Sequence, residues 1–96
     1  MKYLHTMVRV TDIDESLKFW CDLMGLEEAT RRDYPDGKFT LIFLVAPEDR
    51  EAFEKGRAPA LELTYNWDSA EVYSGGRNFG HLAFEVDDVY ATCQHL

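Results

Sequence analysis

The sequence has 96 residues, of which 46% are hydrophobic and 14% aromatic, and this excludes a disordered chain and favours one small globular core. Ten Lys and Arg residues stand against 18 Asp and Glu residues, so the formal net charge is -8. Because this charge repels phosphate groups, we expect neither nucleic acid nor an anionic membrane as a partner. Cys21 and Cys93 lie far apart without a ligand-like spacing, which favours free thiols in the cytoplasm.

The N-terminal half predicts a strand, a helix and a hairpin. Aromatic and β-branched residues over 3–10 predict a strand with Leu4, Thr6, Val8 and Val10 on its core face, opposite His5, Met7 and Arg9. Asp12 and Glu15 then predict a helix start. Residues 26–34 and 38–46 predict a hairpin around the turn at 34–37. The helix between the first strand and this hairpin is predicted to bury an apolar stripe made of Ile13, Leu17, Trp20, Cys21 and Met24, with Phe19 beside it.

The C-terminal half predicts two more strands. The charged segment 47–59 predicts a solvent-facing loop or helical turn. Residues 60–66 form a strand with Glu62 on the face opposite Leu61 and Leu63, and residues 79–86 form one with His81 opposite Leu82. The predicted order is therefore β-α-β-β-β, followed by a further strand and the beginning of a helix.

A short pattern repeats at an offset of 76 residues. His5, Val10, Asp12 and Ile13 correspond to His81, Val86, Asp88 and Val89, and in both copies a strand histidine precedes a helix-capping aspartate. The repeat predicts a first βαβββ module over residues 1–67, a linker over 68–78, and the start of a second module over 79–96. The second module is expected to stop after its first strand and part of its helix.

Three residues from separate strands are candidate metal ligands. His5 and His81 occupy corresponding positions outside the core faces, and Glu62 interrupts an apolar strand. Two imidazoles and one carboxylate suit Ni, Co, Zn, Fe or Mn. Each histidine has the alternative of being a hydrogen-bonded structural residue. Glu62 either faces solvent or is neutralised by a cation, because burial of an unpaired carboxylate is costly.

Three segments resemble glyoxalase I (lactoylglutathione lyase) of the short bacterial type, within the vicinal oxygen chelate superfamily. They are residues 5–10 (HTMVRV), residues 61–67 (LELTYNW) and residues 77–81 (RNFGH). The resemblance covers the whole chain and implies an α+β fold of paired βαβββ modules. It also implies that His5, Glu62 and His81 are three of four metal ligands, and that the fourth, a glutamate that is also the main base, lies beyond Leu96.

The resemblance further implies an activity, a substrate and an assembly. It implies metal-dependent isomerisation of the methylglyoxal-glutathione hemithioacetal to S-lactoylglutathione, with Glu62 assisting and with Arg9, Asn66 and Arg77 holding glutathione. It implies a homodimer in which His5 and Glu62 of one chain share the metal with the partner's His81. Ni or Co is the first expectation for the metal, with Zn also open.

Two other functions stay open from the sequence. The first is another vicinal oxygen chelate activity, an epimerase or a dioxygenase. The second is a non-catalytic metal- or ligand-binding fragment, because the expected base is missing. Arg9 and Arg77 also have plainer interpretations, as a surface strand residue and a linker cation paired with acidic neighbours.

Overall fold

The computed structural model describes residues 1–96 and contains one five-stranded sheet with three short helices. Its strands are β1 (Lys2–Val10), β2 (Glu27–Tyr34), β3 (Phe39–Val45), β4 (Ala60–Asn66) and β5 (Phe79–Glu85). Its helices are α1 (Ile13–Leu17), α2 (Arg50–Glu54) and α3 (Val89–His95). The predicted α+β class and the β-α-β-β-β order of the first module are confirmed, and the charged segment 47–59 forms a helical turn.

The sheet order is β2-β3-β4-β1-β5, with β1 parallel to β4 and antiparallel to β5. The β2–β3 hairpin and β4 are antiparallel neighbours, so the chain crosses back once to place β4 beside β1. The strand that opens the repeated pattern, β5, therefore pairs with the strand that opens the first copy. The two copies meet along β1 and β5.

The two copies of the repeat also share a helix cap. Asp12 adopts an extended backbone and its carboxylate accepts a hydrogen bond from the Glu15 N–H, at 3.0 Å. Asp88 is extended as well and accepts from the Ala91 N–H, at 3.1 Å. A side-chain cap of this type satisfies a backbone donor that the first helical turn leaves unpaired. The 76-residue offset thus corresponds to a repeated strand–cap–helix geometry.

The core lies between the sheet and the helical segment that follows β1. Ile42, Leu44 and Leu63 are almost fully buried there, and the residues packed against them include Val8 and Val10 of the predicted core face. Ile13, Leu17, Trp20 and Cys21 also pack against this cluster, as the helical periodicity predicts.

The prediction that Phe19 and Met24 lie in the core is wrong. The helix continues after α1 as a π-helix over Lys18–Leu23, and Phe19 and Met24 are 47% and 57% exposed. A π-helix has more residues per turn than an α-helix, so the apolar stripe rotates away from the sheet at its end. The prediction from the apolar periodicity assumed one regular α-helix from Ile13 to Met24.

The face of β5 that the repeat assigns to a second core is open to solvent. Leu82 and Phe84 are 54% and 49% exposed. The chain exposes 6862 Å² in total, whereas a compact monomer of this mass exposes about 5,700 Å². The excess of exposed surface area agrees with an uncovered apolar face on β5. None of the helices is long and apolar enough to cross a membrane.

The buried core gives a stability prediction. Leu63 is 0% exposed, so Leu63→Ala removes a fully packed side chain and we expect a loss of about 2–5 kcal/mol in the free energy of unfolding. Leu23 is 73% exposed, and Leu23→Ala is the matched control, with an expected change below about 0.5 kcal/mol. Urea unfolding followed by circular dichroism measures both variants. Equal, small losses in the two would contradict this placement of the core.

Candidate metal centre

Three adjacent strands bring His5, Glu62 and His81 together on the sheet face opposite the core. Met7 is the register partner of both Glu62 on β4 and His81 on β5, and His5 lies two residues earlier on the same face of β1. Side chains two residues apart on a strand point to the same face. The three predicted ligands therefore converge because β1 lies between β4 and β5.

The distances within this group are short. His5 Nε2 lies 2.9 Å from Glu62 Oε1 and 3.2 Å from His81 Nε2. The possible ligand atoms of the three residues all lie within 4.8 Å of one another. Two imidazole nitrogens and a carboxylate oxygen are all lone-pair donors, so their convergence needs shared protons or a cation.

The site residues fit a divalent metal ion. Protein nitrogen and oxygen ligands bind such ions at about 2.0–2.2 Å, which places neighbouring ligand atoms on one ion about 3.0–3.5 Å apart. The distances of His5 Nε2 to the other two ligand atoms are 2.9 and 3.2 Å, close to this range. The group offers borderline ligands without a thiolate, which suits Ni, Co, Zn, Fe or Mn. His5, Glu62 and His81 can therefore hold a metal ion.

Glu62 is buried beside polar and aromatic groups. Its side chain is 7% exposed, and Thr64 Oγ1 donates a 3.4 Å hydrogen bond to its second oxygen, Oε2. Phe43, the register partner of Glu62, meets the His5 ring edge-on at a centroid distance of 5.5 Å. The solvent-facing alternative for Glu62 is therefore wrong. Because a buried carboxylate is costly unless it is paired, its neutralisation by a cation stays a prediction.

Gly80 makes room for this arrangement. The β1–β5 register shifts between Met7 and Val8, opposite Gly80. A side chain at position 80 would collide with the Met7 thioether and would lie 3.0 Å from the Met7 carbonyl oxygen. Met7 is itself buried. The absence of a side chain at Gly80 therefore lets β5 approach β1 closely enough for His81 to reach His5.

The three predicted glutathione residues lie near the linker, and each contacts the chain itself. Arg9 Nη1 donates to the carbonyl oxygens of Arg77 and Phe79, at 3.2 and 3.0 Å. Asn66 Nδ2 donates to the hydroxyl of Tyr73, at 3.3 Å. Arg9 thus fastens the end of the linker to β1, a structural role that the sequence interpretation did not include.

Arg77 forms a bidentate ion pair with Glu71, a residue that the sequence interpretation missed. Arg77 Nε and Nη2 donate to the two carboxylate oxygens at 2.7 and 3.1 Å. This hydrogen bonding lowers the pKa of Glu71 and raises the pKa of Arg77. Glu71 and Arg77 are six residues apart in the predicted linker, a spacing that matches neither helical nor strand periodicity. The only sequence signal for an acidic neighbour of Arg77 was the excess of Asp and Glu in the chain.

His81 lies beside His5 within this one chain, because β5 pairs with β1 in one sheet. The structure describes a single chain, so the sharing of the metal with the partner's His81, which the resemblance implies, stays a prediction.

The fold and the group of possible metal ligands, His5, Glu62 and His81, agree with the family to which the chain belongs. The chain matches the Glyoxalase/Bleomycin resistance protein/Dioxygenase superfamily over residues 2–96, and it belongs to this superfamily. Within the superfamily it is similar to lactoylglutathione lyases. It is 42% identical over 96 residues to a probable lactoylglutathione lyase of Synechocystis sp., covering 100% of this chain and 68% of that relative.

Solved structures show the same likeness. The glyoxalase I of Leishmania major, described as trypanothione-dependent, matches with 35% identity and a TM-score of 0.65, over 99% of this chain and 63% of that one. Methylmalonyl-CoA epimerase from Mycobacterium tuberculosis matches with a TM-score of 0.67 at 21% identity, over 98% of this chain and 61% of that one, and this shows a shared fold alone. The chain spans 64–68% of the length of three lactoylglutathione lyases that it resembles.

Gly80→Ala tests whether the close approach of β5 to β1 supports the metal centre. The added methyl group collides with Met7, so we expect a loss of about 1–3 kcal/mol in stability and weaker Ni²⁺ binding. Thermal unfolding and calorimetric titration measure the two effects. Met7→Ala removes the thioether contact and leaves the 3.0 Å contact with the carbonyl oxygen, so Gly80→Ala is expected to cost less stability in the Met7→Ala background than in the wild type. An unchanged Gly80→Ala variant would contradict this role of Gly80.

Proposed function

We propose that this chain carries the metal- and glutathione-binding part of a metal-dependent glyoxalase I, which converts the methylglyoxal-glutathione hemithioacetal to S-lactoylglutathione. The observation that supports it most is the convergence of His5, Glu62 and His81 within 4.8 Å. The identity to lactoylglutathione lyases along the whole chain points to the same reaction.

In this proposal His5, Glu62 and His81 hold one divalent ion. When bound, the ion supplies Lewis-acid polarisation of the two neighbouring substrate oxygens, which makes the adjacent C–H more acidic. Glu62 assists the transfer of that proton, and its Oε2 is the oxygen that Thr64 holds in place. Phe43 and Met7 shield the group from water on the sheet side, which strengthens the electrostatic interactions there.

Arg9, Asn66 and Arg77 are proposed to bind the glutathione part of the substrate. A guanidinium binds carboxylates through paired N–H donors and stays charged at neutral pH. Arg9 makes its hydrogen bonds within the chain through Nη1, so its Nε and Nη2 donors remain for a ligand. The linker that carries Arg77 also brings Tyr73 to Asn66, so these contacts set the shape of the ligand-binding edge.

The organisation of the chain follows the repeat. We propose a first βαβββ module over residues 1–67, a linker over 68–78 and the start of a second module over 79–96, with the main base outside this chain. The repeated Asp12 and Asp88 caps support this division. Gly75 and Gly76 adopt positive φ angles of 57° and 91°, which lets the linker reverse direction before β5.

We further propose a homodimer and a cytoplasmic location. The exposed apolar side chains of β5, Leu82 and Phe84, are a surface that association would cover. In this dimer, as the resemblance implies, His5 and Glu62 of one chain share the metal with the partner's His81, and β5 exchanged to the partner's β1 makes the same β1–β5 contacts as within one chain. The two free cysteines, Cys21 and Cys93, agree with a reducing compartment. Ni or Co is the proposed metal, with Zn the alternative.

The test combines metal analysis with ligand binding. We expect the purified chain to bind one divalent ion, Glu62→Gln to weaken that binding by at least tenfold, and the loaded chain to bind the glutathione conjugate S-hexylglutathione. Elemental analysis measures the first result, and calorimetric titration measures the other two. Glu48→Gln, on the turn before α2 and outside the ligand group, is the matched control and should change none of them.

Two results would contradict the proposal. A metal-loaded chain that does not bind S-hexylglutathione would favour another activity of the superfamily, an epimerase or a dioxygenase. Absence of metal binding in the wild-type chain would remove the basis for the ligand assignment.

A further inference from the structure

We propose that Glu71 is a specificity-determining residue that competes with the substrate carboxylate for Arg77. This inference rests on the proposed function, because it assumes that Arg77 binds a carboxylate of a glutathione conjugate. Its basis in the structure is that the chain already supplies a carboxylate to this guanidinium, through two hydrogen bonds of 2.7 and 3.1 Å.

The geometry of the pair is that of a bound carboxylate ligand. Both oxygens of Glu71 accept hydrogen bonds from one edge of the guanidinium, formed by Nε and Nη2. A substrate carboxylate would use the same type of fork-to-carboxylate contact. Glu71 therefore occupies one of the guanidinium edges suited to such a ligand, and it cancels the positive charge that would attract an anion.

Glu71 also acts on the second arginine of the ligand-binding edge. The charge of Arg9 contributes to the lowered pKa of Glu71, after the larger effect of Arg77. The carboxylate therefore lies within electrostatic reach of both arginines. On a chain with a net charge of -8, the negative charge of Glu71 at this position opposes the approach of an anionic ligand.

The pair is exposed enough to be displaced. The side chains of Arg77 and Glu71 are 62% and 36% exposed, and exposed ion pairs stabilise proteins only weakly. A ligand with a carboxylate can therefore replace Glu71 at a modest loss of affinity. A compound without a carboxylate cannot replace Glu71 on the guanidinium of Arg77, so the ion pair stays intact in its presence.

The experiment is a calorimetric titration of the full chain with S-hexylglutathione. Glu71→Gln keeps the size of the side chain but removes its charge, and we expect about two- to fivefold tighter binding. The diethyl ester of the same compound lacks both carboxylates and is expected to bind the wild type and Glu71→Gln equally. In an Arg77→Gln background, the gain from Glu71→Gln should be smaller, because only the effect of its charge on Arg9 and on the ligand remains.

Glu51→Gln is the matched control for net charge. Glu51 forms an exposed ion pair with Lys55 on α2, at 2.9 Å, so its substitution removes one charge outside the ligand-binding edge. We expect less than a 1.5-fold change for it, and an equal gain from both substitutions would show a general charge effect and overturn the proposal.

The remaining outcomes separate this inference from the proposed function. If the wild type binds S-hexylglutathione and Glu71→Gln binds it equally or more weakly, Glu71 orients Arg77 instead and only this inference fails. If Glu71→Gln binds and the wild type does not, the competition is supported in its strongest form. If neither binds, the glutathione assignment fails together with the inference.

Discussion

The pairing of β5 with β1 is the constraint on which the rest of the structure depends. It places His81 beside His5, and the parallel pairing of β4 on the other side of β1 adds Glu62. A shift of one residue in either register would turn a ligand to the opposite face of the sheet. Gly80 permits this pairing because a side chain there would collide with Met7. The metal centre is therefore a property of strand registers more than of any local motif.

The two faces of the sheet bury different kinds of side chain. One face packs Ile42, Leu44 and Leu63 beneath the helical segment and supplies the main apolar core. The other face buries the side chain of Glu62, which is 7% exposed, beside the imidazole of His5 and the ring of Phe43. Burial of a charged group is unfavourable for folding without a partner. A bound cation would offset this cost, so metal binding and folding are expected to be coupled in this chain.

Much of the fold and of the candidate site could be predicted from the sequence. The strands were predictable from their alternation, and the convergence of His5 with His81 from the repeat that relates them. That these residues hold a metal stays a prediction. The π-helix was not predictable, because a change in helical pitch around Phe19 depends on packing. The Glu71–Arg77 pair was not predictable either, since a linker of irregular backbone gives no spacing rule for side-chain contacts.

The most direct test of the account compares three histidine variants by titration with Ni²⁺. His5→Ala and His81→Ala each lose one of the ligand atoms that the β1–β5 pairing brings together, whereas His95→Ala changes α3, outside the ligand group. The first two variants are expected to bind Ni²⁺ at least about tenfold more weakly than the wild type, and His95→Ala is expected to bind it equally well. Wild-type binding in either His5→Ala or His81→Ala would contradict a metal centre built on the β1–β5 pairing.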